Sequence, residues 1–359
     1  MQQKEITHLR EAADDHTRYS AHNCKCVARA IELRYASSEG EIVNTTVRLN
    51  HLRAALLTAA AAGLLAAVGV FVVVLYAQPA GATFPGKPGK IAYQGTDGND
   101  DEIYTIKPGG GGKFNVTDDA RDDIEASYSP SGKRIAYAGY DGTDYEIYTI
   151  NATGGSRVQL TDNNTDDDAP SYSPSGKKIV YSSYDGTDYE LYRINAGGGG
   201  KVQLTDNNMD DYYSSYSPNG KKIALSGQDA PTAGDYEIFT INAGGGGRVQ
   251  LTDNTTNDYY CSYSPSGKKI AYEGKDSPTG DYEIYTINAS GGGKVQVTDN
   301  GTNDYAPSYS PSGKRIAYNG PDAPTGGDNE IYTINASGGG KVQVTDNGTG
   351  DLEPSWGSS

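Results

Sequence analysis

The sequence predicts an all-β fold: a six-bladed β-propeller of four-stranded antiparallel blades, preceded by one apolar N-terminal helix. Three observations carry this expectation. The phrase YSPSGKRIAYAGYDGTDYEIYTINATGG, beginning at Tyr128, returns in near copy from Tyr172, Tyr216, Tyr263 and Tyr309. Its second residues on, Pro130, Pro174, Pro218, Pro265 and Pro311, are spaced by 44, 44, 47 and 46 residues, a period that suits propeller blades. The composition fits short strands joined by tight turns, with 29 Tyr and 47 Gly against 4 Phe and 1 Trp in 359 residues.

In chain order, residues 1–53 form a mixed-charge tail with 8 basic and 7 acidic groups. It holds His16, His22, Cys24 and Cys26. A Cys-x-Cys beside histidines suits either a metal or ordinary reduced thiols, and the spacing matches no zinc pattern. Residues 54–77 are 24 residues without a charge. At about 1.5 Å per residue such a helix crosses a bilayer core of roughly 30 Å. Two membrane readings stay open. One is a permanent single-pass anchor with the propeller outside the cytoplasm. The other is a signal peptide cleaved after Ala82, at the Ala80-Gly81-Ala82 pattern. A 53-residue charged lead is long for a signal peptide, but translation from Val47 would leave an ordinary one, VRLNHLR. Residues 78–83 are a linker, and the propeller spans 84–359.

Within the propeller, four phrases recur in fixed order: SYSP, KIAY-like, EIYTI-like and KVQLT-like. Each is rich in Val, Ile, Tyr and Thr and bounded by Gly, Pro, Asn or Asp, which marks a strand. Ser-Pro-Ser-Gly is the turn between the first two. KIAY and EIYTI are apolar on both faces, as befits a sheet sandwiched between neighbours. The last three phrases occur six times, starting for the second at Lys90, Arg134, Lys178, Lys222, Lys269 and Arg315. The first occurs five times, and its missing copy comes last, as Pro354-Ser355-Trp356-Gly357-Ser358. The C-terminus is therefore expected to supply the inner strand of the first blade and to close the ring, leaving no open edge. A stacked solenoid is the alternative.

The unit P-S-Y-S-P-S-G-K-x-I-A-Y…D-x-x-Y-E-I-Y…I-N-A…G-G…L-T resembles the WD-like propeller repeat of the TolB family, whose usual form is P-x-W-S-P-D-G-K-x-I-A-F…D-I-Y…A-D-G…L-T. The resemblance covers about residues 84–359. It implies an extracytoplasmic propeller used for protein contacts. Tyr128, Tyr172, Tyr216, Tyr263 and Tyr309 stand in the family's Trp position, which only Trp356 keeps. Ser131, Ser175, Asn219, Ser266 and Ser312 replace the turn Asp. The helical domain that precedes the propeller in TolB itself is not evident, so a Tol-system role is not carried over.

The formal net charge is −16, and residues 83–359 carry 39 acidic against 22 basic groups. That balance argues against nucleic acid as a partner. In an up-and-down blade, the loops joining strands two to three and four to the next blade share one face. The acidic residues gather there, and all basic residues but Arg121, Arg193 and Lys275 gather by the opposite loops. Turn chemistry multiplied by duplication would do the same. Asp123, Asp167, Asp211, Asp258, Asp304 and Asp351 lie four residues before each inner-strand Ser. They are expected as a ring at the channel mouth, holding a cation such as Ca²⁺ or a basic partner, or else as six solvated strand caps.

All four histidines (His8, His16, His22, His51) precede the propeller, which excludes a Ser-His-Asp or Cys-His hydrolase and a histidine-liganded metal enzyme within it. Paired-carboxylate glycosidase chemistry stays open, although no pair stands apart from its repeats. Cys261 has no cysteine partner in the propeller and reads as a small packing residue. The expected role is that of a non-enzymatic, monomeric binding or scaffold module at the cell surface, with an acidic face meeting a protein partner. The alternative is a carbohydrate-binding or carbohydrate-active propeller, with Tyr212, Tyr213, Tyr259, Tyr260 and Tyr305 stacking on sugar rings. A purely structural wall component is a third.

Overall fold

The β-branched and aromatic phrases do form the strands. In the computed structural model the described residues are 85–359, other than 97, 231–233, 276, 278–279 and 324–326. The expectations for the tail, the apolar segment 54–77 and cleavage after Ala82 lie outside them. No helix among the described residues is long and apolar enough to cross a membrane.

Six four-stranded sheets follow one another along the chain. Blade two shows the plan: Asp123–Tyr128, Arg134–Tyr140, Tyr145–Asn151 and Val158–Gln159, from the inner strand outward. Neighbours pair antiparallel, for instance Tyr137 with Tyr148 and Tyr148 with Gln159. The turn between the first two strands closes through Gly132 N–H to Ser129 C=O at 2.9 Å, with Gly132 at φ 65°, a backbone angle that glycine adopts at little cost.

Blade one begins with its second strand, Pro88–Thr96, and its inner strand is Asp351–Ser358, the end of the chain. Ile91 pairs with Trp356 and Ala92 with Ser355. The expected closure is thus the one observed.

The core lies between blades. One cluster joins Ala92 and Ile103 of blade one to Tyr128, Ile135 and Tyr137 of blade two, all buried. Five more such clusters complete the circle, the last seating Trp356 with Ile91 and Tyr93 against Ala317 and Ile331 of blade six. Both faces of the middle strands are covered, which is why their phrases are apolar throughout. On the channel side, four inner-strand serines reach the next blade: Ser215 Oγ accepts from Tyr263 N–H at 3.1 Å, Ser262 Oγ from Tyr309 N–H at 3.2 Å, Ser308 Oγ from Trp356 N–H at 3.0 Å and Ser355 Oγ from Tyr128 N–H at 3.2 Å.

Candidate functional site: a one-sided channel mouth

The six repeated aspartates are placed inside the blades. Asp123, Asp167, Asp211, Asp258, Asp304 and Asp351 are each 0 % exposed. Five take a hydrogen bond from the loop asparagine four residues before them: Asn163, Asn207, Asn254, Asn300 and Asn347 donate through Nδ2 at 2.7–3.0 Å. The backbone N–H of the same asparagine donates to the third-strand glutamate of the preceding blade, for instance Asn300 to Glu283 at 2.8 Å and Asn347 to Glu330 at 2.6 Å. One asparagine thus staples two buried carboxylates from adjacent blades. A second-strand glycine makes room: a Cβ on Gly139 would lie 2.6 Å from Asp123 Oδ1. The expected ring at the mouth is corrected accordingly. These side chains are covered, and none belongs to a set of three described acidic side chains with oxygens within 4.8 Å of one another. Burial raises the carboxyls in these staples, Glu237 to about 8, Asp258 to about 6 and Glu146, Glu190 and Glu283 to about 7; a proton held by one partner relieves the other.

The junction from blade one to blade two departs from this plan. Asp119 stands where the others have Asn; its N–H donates to Glu102 at 2.8 Å, but its carboxylate has nothing to offer Asp123. Arg157 fills the gap, paired with Asp119 and 3.5 Å from Asp123 Oδ1, with its guanidinium 4.1 Å from the Tyr148 ring centroid. Arg157→Ala is expected to lower stability by about 2 kcal/mol, because it strands a buried carboxylate. Adding Asp119→Asn in the same chain is expected to recover at least half of that, read by thermal melting. No recovery would assign the loss to the Tyr148 contact instead.

What faces the channel is set by a bulge. Every inner strand slips register two residues after its aspartate. The bulged residues Glu125, Ala169, Tyr213, Tyr260, Ala306 and Glu353 all have φ between 48° and 56°. That conformation is costly for a residue with a side chain and persists only where its surroundings impose it. The blades are near copies, yet here they differ. Going round the ring the bulge reads Glu353, Glu125, Ala169, Tyr213, Tyr260, Ala306.

The two sides of the mouth therefore have different chemistry. Tyr213 and Tyr260 stack with ring centroids 3.8 Å apart. Tyr260 Oη, passing the small Ala306, donates to Glu353 Oε1 at 2.7 Å, and the other oxygen, Glu353 Oε2, is buried without a partner. Glu125 faces Glu353 and Asp168; burial first, then these like charges, hold it well above the usual carboxylate range. Burial and neighbouring acids push Asp168 up to about 7. Glu273 occupies a second-strand position held by Gln94, Ala138, Ser182, Ser226 and Asn319 elsewhere. It accepts from Ala306 N–H at 2.7 Å, and burial raises it to about 8.

Around the rim, Tyr184, Tyr189, Tyr212, Tyr236, Tyr259, Tyr282 and Tyr305 follow one another at ring distances of 4.7–6.5 Å. Together with Tyr213, Tyr260, Glu273 and Glu353 the last five enclose a cavity of about 510 Å³ on the side of blades four to six and one, within the size range of ligand sites. All five tyrosines singled out in the sequence, Tyr212, Tyr213, Tyr259, Tyr260 and Tyr305, line it. The carboxylates that open on it, Glu353 and Glu273, were not singled out. The signal for them was their difference from the other repeats.

Comparison with known proteins agrees with this architecture. The family model described as the TolB beta propeller domain matches residues 81–233 and 213–322. No curated protein matches the sequence. Among solved structures, TolB from Acinetobacter baumannii superposes with a TM-score of 0.65 at 20% identity, over 76% of this chain and 67% of that one. Hydrazine synthase of Kuenenia stuttgartiensis gives 0.62 at 18% identity, over 76% and 47%. A nidogen/laminin complex chain gives 0.60 at 10% identity, over 74% and 97%. At such identities these structures share the fold alone. The family match spans well over half of the sequence, and the chain belongs to the TolB β-propeller domain family.

Proposed function

We propose that this propeller is a non-enzymatic binding module that takes a basic segment of a protein partner into the tyrosine-lined channel mouth. The observation that carries it is the funnel itself. Tyrosine faces attract a cation and exclude water around it, and Glu353 presents a buried oxygen that lacks a donor. An arginine or lysine side chain supplies both what the rings favour and what the carboxylate lacks. The family is consistent with a protein-contact role. The proposal places the module outside the cytoplasm, as a monomer, held by 54–77 or released after Ala82; N-terminal sequencing of the mature protein decides between the last two.

The test is calorimetric titration of the full-length chain with a penta-arginine peptide and, separately, with a neutral oligosaccharide. Peptide binding is expected to weaken at least tenfold between low salt and about 0.5 M salt, and to weaken likewise in Glu353→Gln. Oligosaccharide binding that persists at high salt, with no peptide binding, would replace this reading by the carbohydrate one.

A further inference from the structure

The face opposite the funnel carries the turns from first to second strand and from third to fourth. In five blades the two turns are tied together there. The alanine that follows the third strand donates its N–H to the carbonyl of the lysine that closes the first turn: Ala152 to Lys133 at 2.9 Å, Ala196 to Lys177 at 3.0 Å, Ala243 to Lys221 at 2.9 Å, Ala289 to Lys268 at 3.0 Å and Ala336 to Lys314 at 2.9 Å. One backbone bond thus fixes an equivalent lysine in five blades. All five lysines are exposed, as are Lys87 and Lys107 on the turns of blade one. None of the turns on this face contains Asp or Glu. Among the described residues the ion pairs are those of Arg157 and Arg248, so none of these lysines has a carboxylate against it.

The cations that precede the fourth strands behave differently. Lys113, Arg157, Lys201, Arg248, Lys294 and Lys341 fold back over third-strand rings, 3.9–4.3 Å from the centroids. The next residue in each blade, Phe114, Val158, Val202, Val249, Val295 or Val342, is an apolar side chain left 41–50 % exposed. It pairs near the basic-face end of the third strand, as Val158 does with Thr149. Between blades two and three the face opens into a hollow of about 550 Å³, where Ser131, Arg134, Tyr172, Ser175 and Lys177 supply hydrogen-bond donors and no acid intrudes. The chain also enters the propeller on this face: Gly86 N–H donates to Pro311 C=O at 3.4 Å, and Ser359 N–H to Lys87 C=O at 3.0 Å. Only residues 78–84 separate Pro85 from the apolar segment 54–77. Seven residues reach at most about 25 Å.

We infer that this basic face docks on a bilayer leaflet that carries anionic phospholipid. The inference draws on the reading of 54–77 as an anchor and is separate from the funnel. Lysines without carboxylate partners attract phosphate headgroups, but salt limits that attraction to about a Debye length, roughly 8 Å. A short tether on the same face is what lets so short-ranged a field act. Exposed apolar side chains beside basic ones suit the boundary between headgroups and acyl chains. Docked in this way, the propeller turns its funnel away from the membrane, toward a partner.

The experiment reconstitutes the full-length chain with vesicles of phosphatidylcholine alone or with phosphatidylglycerol added. Flotation reads association. A membrane-impermeant amine reagent then labels the lysines of outward-facing chains, and mass spectrometry gives each as a ratio to Lys275, which stands by the opposite loops. The ratios for Lys133, Lys177, Lys221, Lys268 and Lys314 are expected to be at least about threefold lower on anionic than on neutral vesicles, and to recover in about 0.5 M salt. Lys221→Gln with Lys268→Gln is expected to weaken the protection of the other three. A chain that floats with both vesicles but shows equal ratios overturns the inference and leaves the anchor. A chain that floats only with anionic vesicles, and is released by salt, keeps the basic face and removes the anchor. A chain that floats with neither overturns both. Protection by soluble polyglutamate, with none from phosphatidylglycerol, overturns the inference in favour of an acidic polymer. Peptide binding at the funnel is read on the other face and is decided separately.

Discussion

A chain ending at Gly350 is expected to lose the cooperative melting of the propeller and to associate. Without Asp351–Ser358, the strand Pro88–Thr96 presents an unpaired, apolar edge, the arrangement that invites pairing with another chain. The truncation also removes Trp356 from its place against Ile91, Tyr93, Ala317 and Ile331, and Asp351 from its bond with Asn347. Size-exclusion chromatography and near-ultraviolet circular dichroism check this. A truncated chain that elutes as a monomer with the full chain's spectrum would show that the ring holds without its clasp. The milder variant Trp356→Ala keeps the strand and is expected to cost about 3–5 kcal/mol through the cavity left. For a domain of this size that corresponds to a fall in melting temperature of roughly 5–9 °C.

The second large effect is one of pH. Glu237 is raised to about 8, Glu146, Glu190 and Glu283 to about 7, and Asp258 to about 6, in each case first by burial. Glu273 at the mouth is raised to about 8 by the same cause. The native state therefore holds protons that the unfolded chain has already released. Stability is highest below the ordinary carboxylate range of about 4–4.5 for these groups, and it falls as pH climbs through 7 and 8, levelling off above. The melting temperature is expected to drop between pH 5.5 and pH 8.5. Glu273→Gln keeps an acceptor for Ala306 N–H and removes one titrating group. It is expected to leave stability at pH 5.5 nearly unchanged and to raise it at pH 8.5 by on the order of 2 kcal/mol. A variant that melts at the same temperature as the parent at pH 8.5 would mean that Glu273 ionises without cost, through water reaching it along the channel. The same proton couples to binding. A cationic ligand meets the ionised carboxyl, so affinity for a basic peptide is expected to rise as pH passes about 8.

The architecture was readable from the repeats because each phrase carries its own strand signal and turn chemistry. The count of phrases, six of three kinds and five of the first, even told where the ring shuts. The site was readable only in part. Asp123 and its five counterparts drew attention because they recur in every unit. Recurrence of that kind marks what the blade needs for itself, here a partner for Asn163 or Arg157 under a second-strand glycine. The residues that distinguish one blade from another, Glu125, Tyr213, Tyr260, Glu273 and Glu353, hold the mouth. A strict two-residue alternation does not show which of them faces inward, because the bulge after each aspartate changes the phase of the strand. The tyrosines could be named from the sequence, but their gathering on one side of the axis depends on the order in which the blades come round.

That bulge has a consequence for how such a ring could be rewritten. Its six residues share one backbone conformation, and their side chains meet in the channel instead of in the packed layers between blades. Tyr213 could become Glu, or Glu125 Tyr, with the blade's own seams left as they are. The propeller is in this sense a dial of six settings on a fixed chassis, and exchanging them between blades as a set would turn the pattern of charge and aromaticity about the axis.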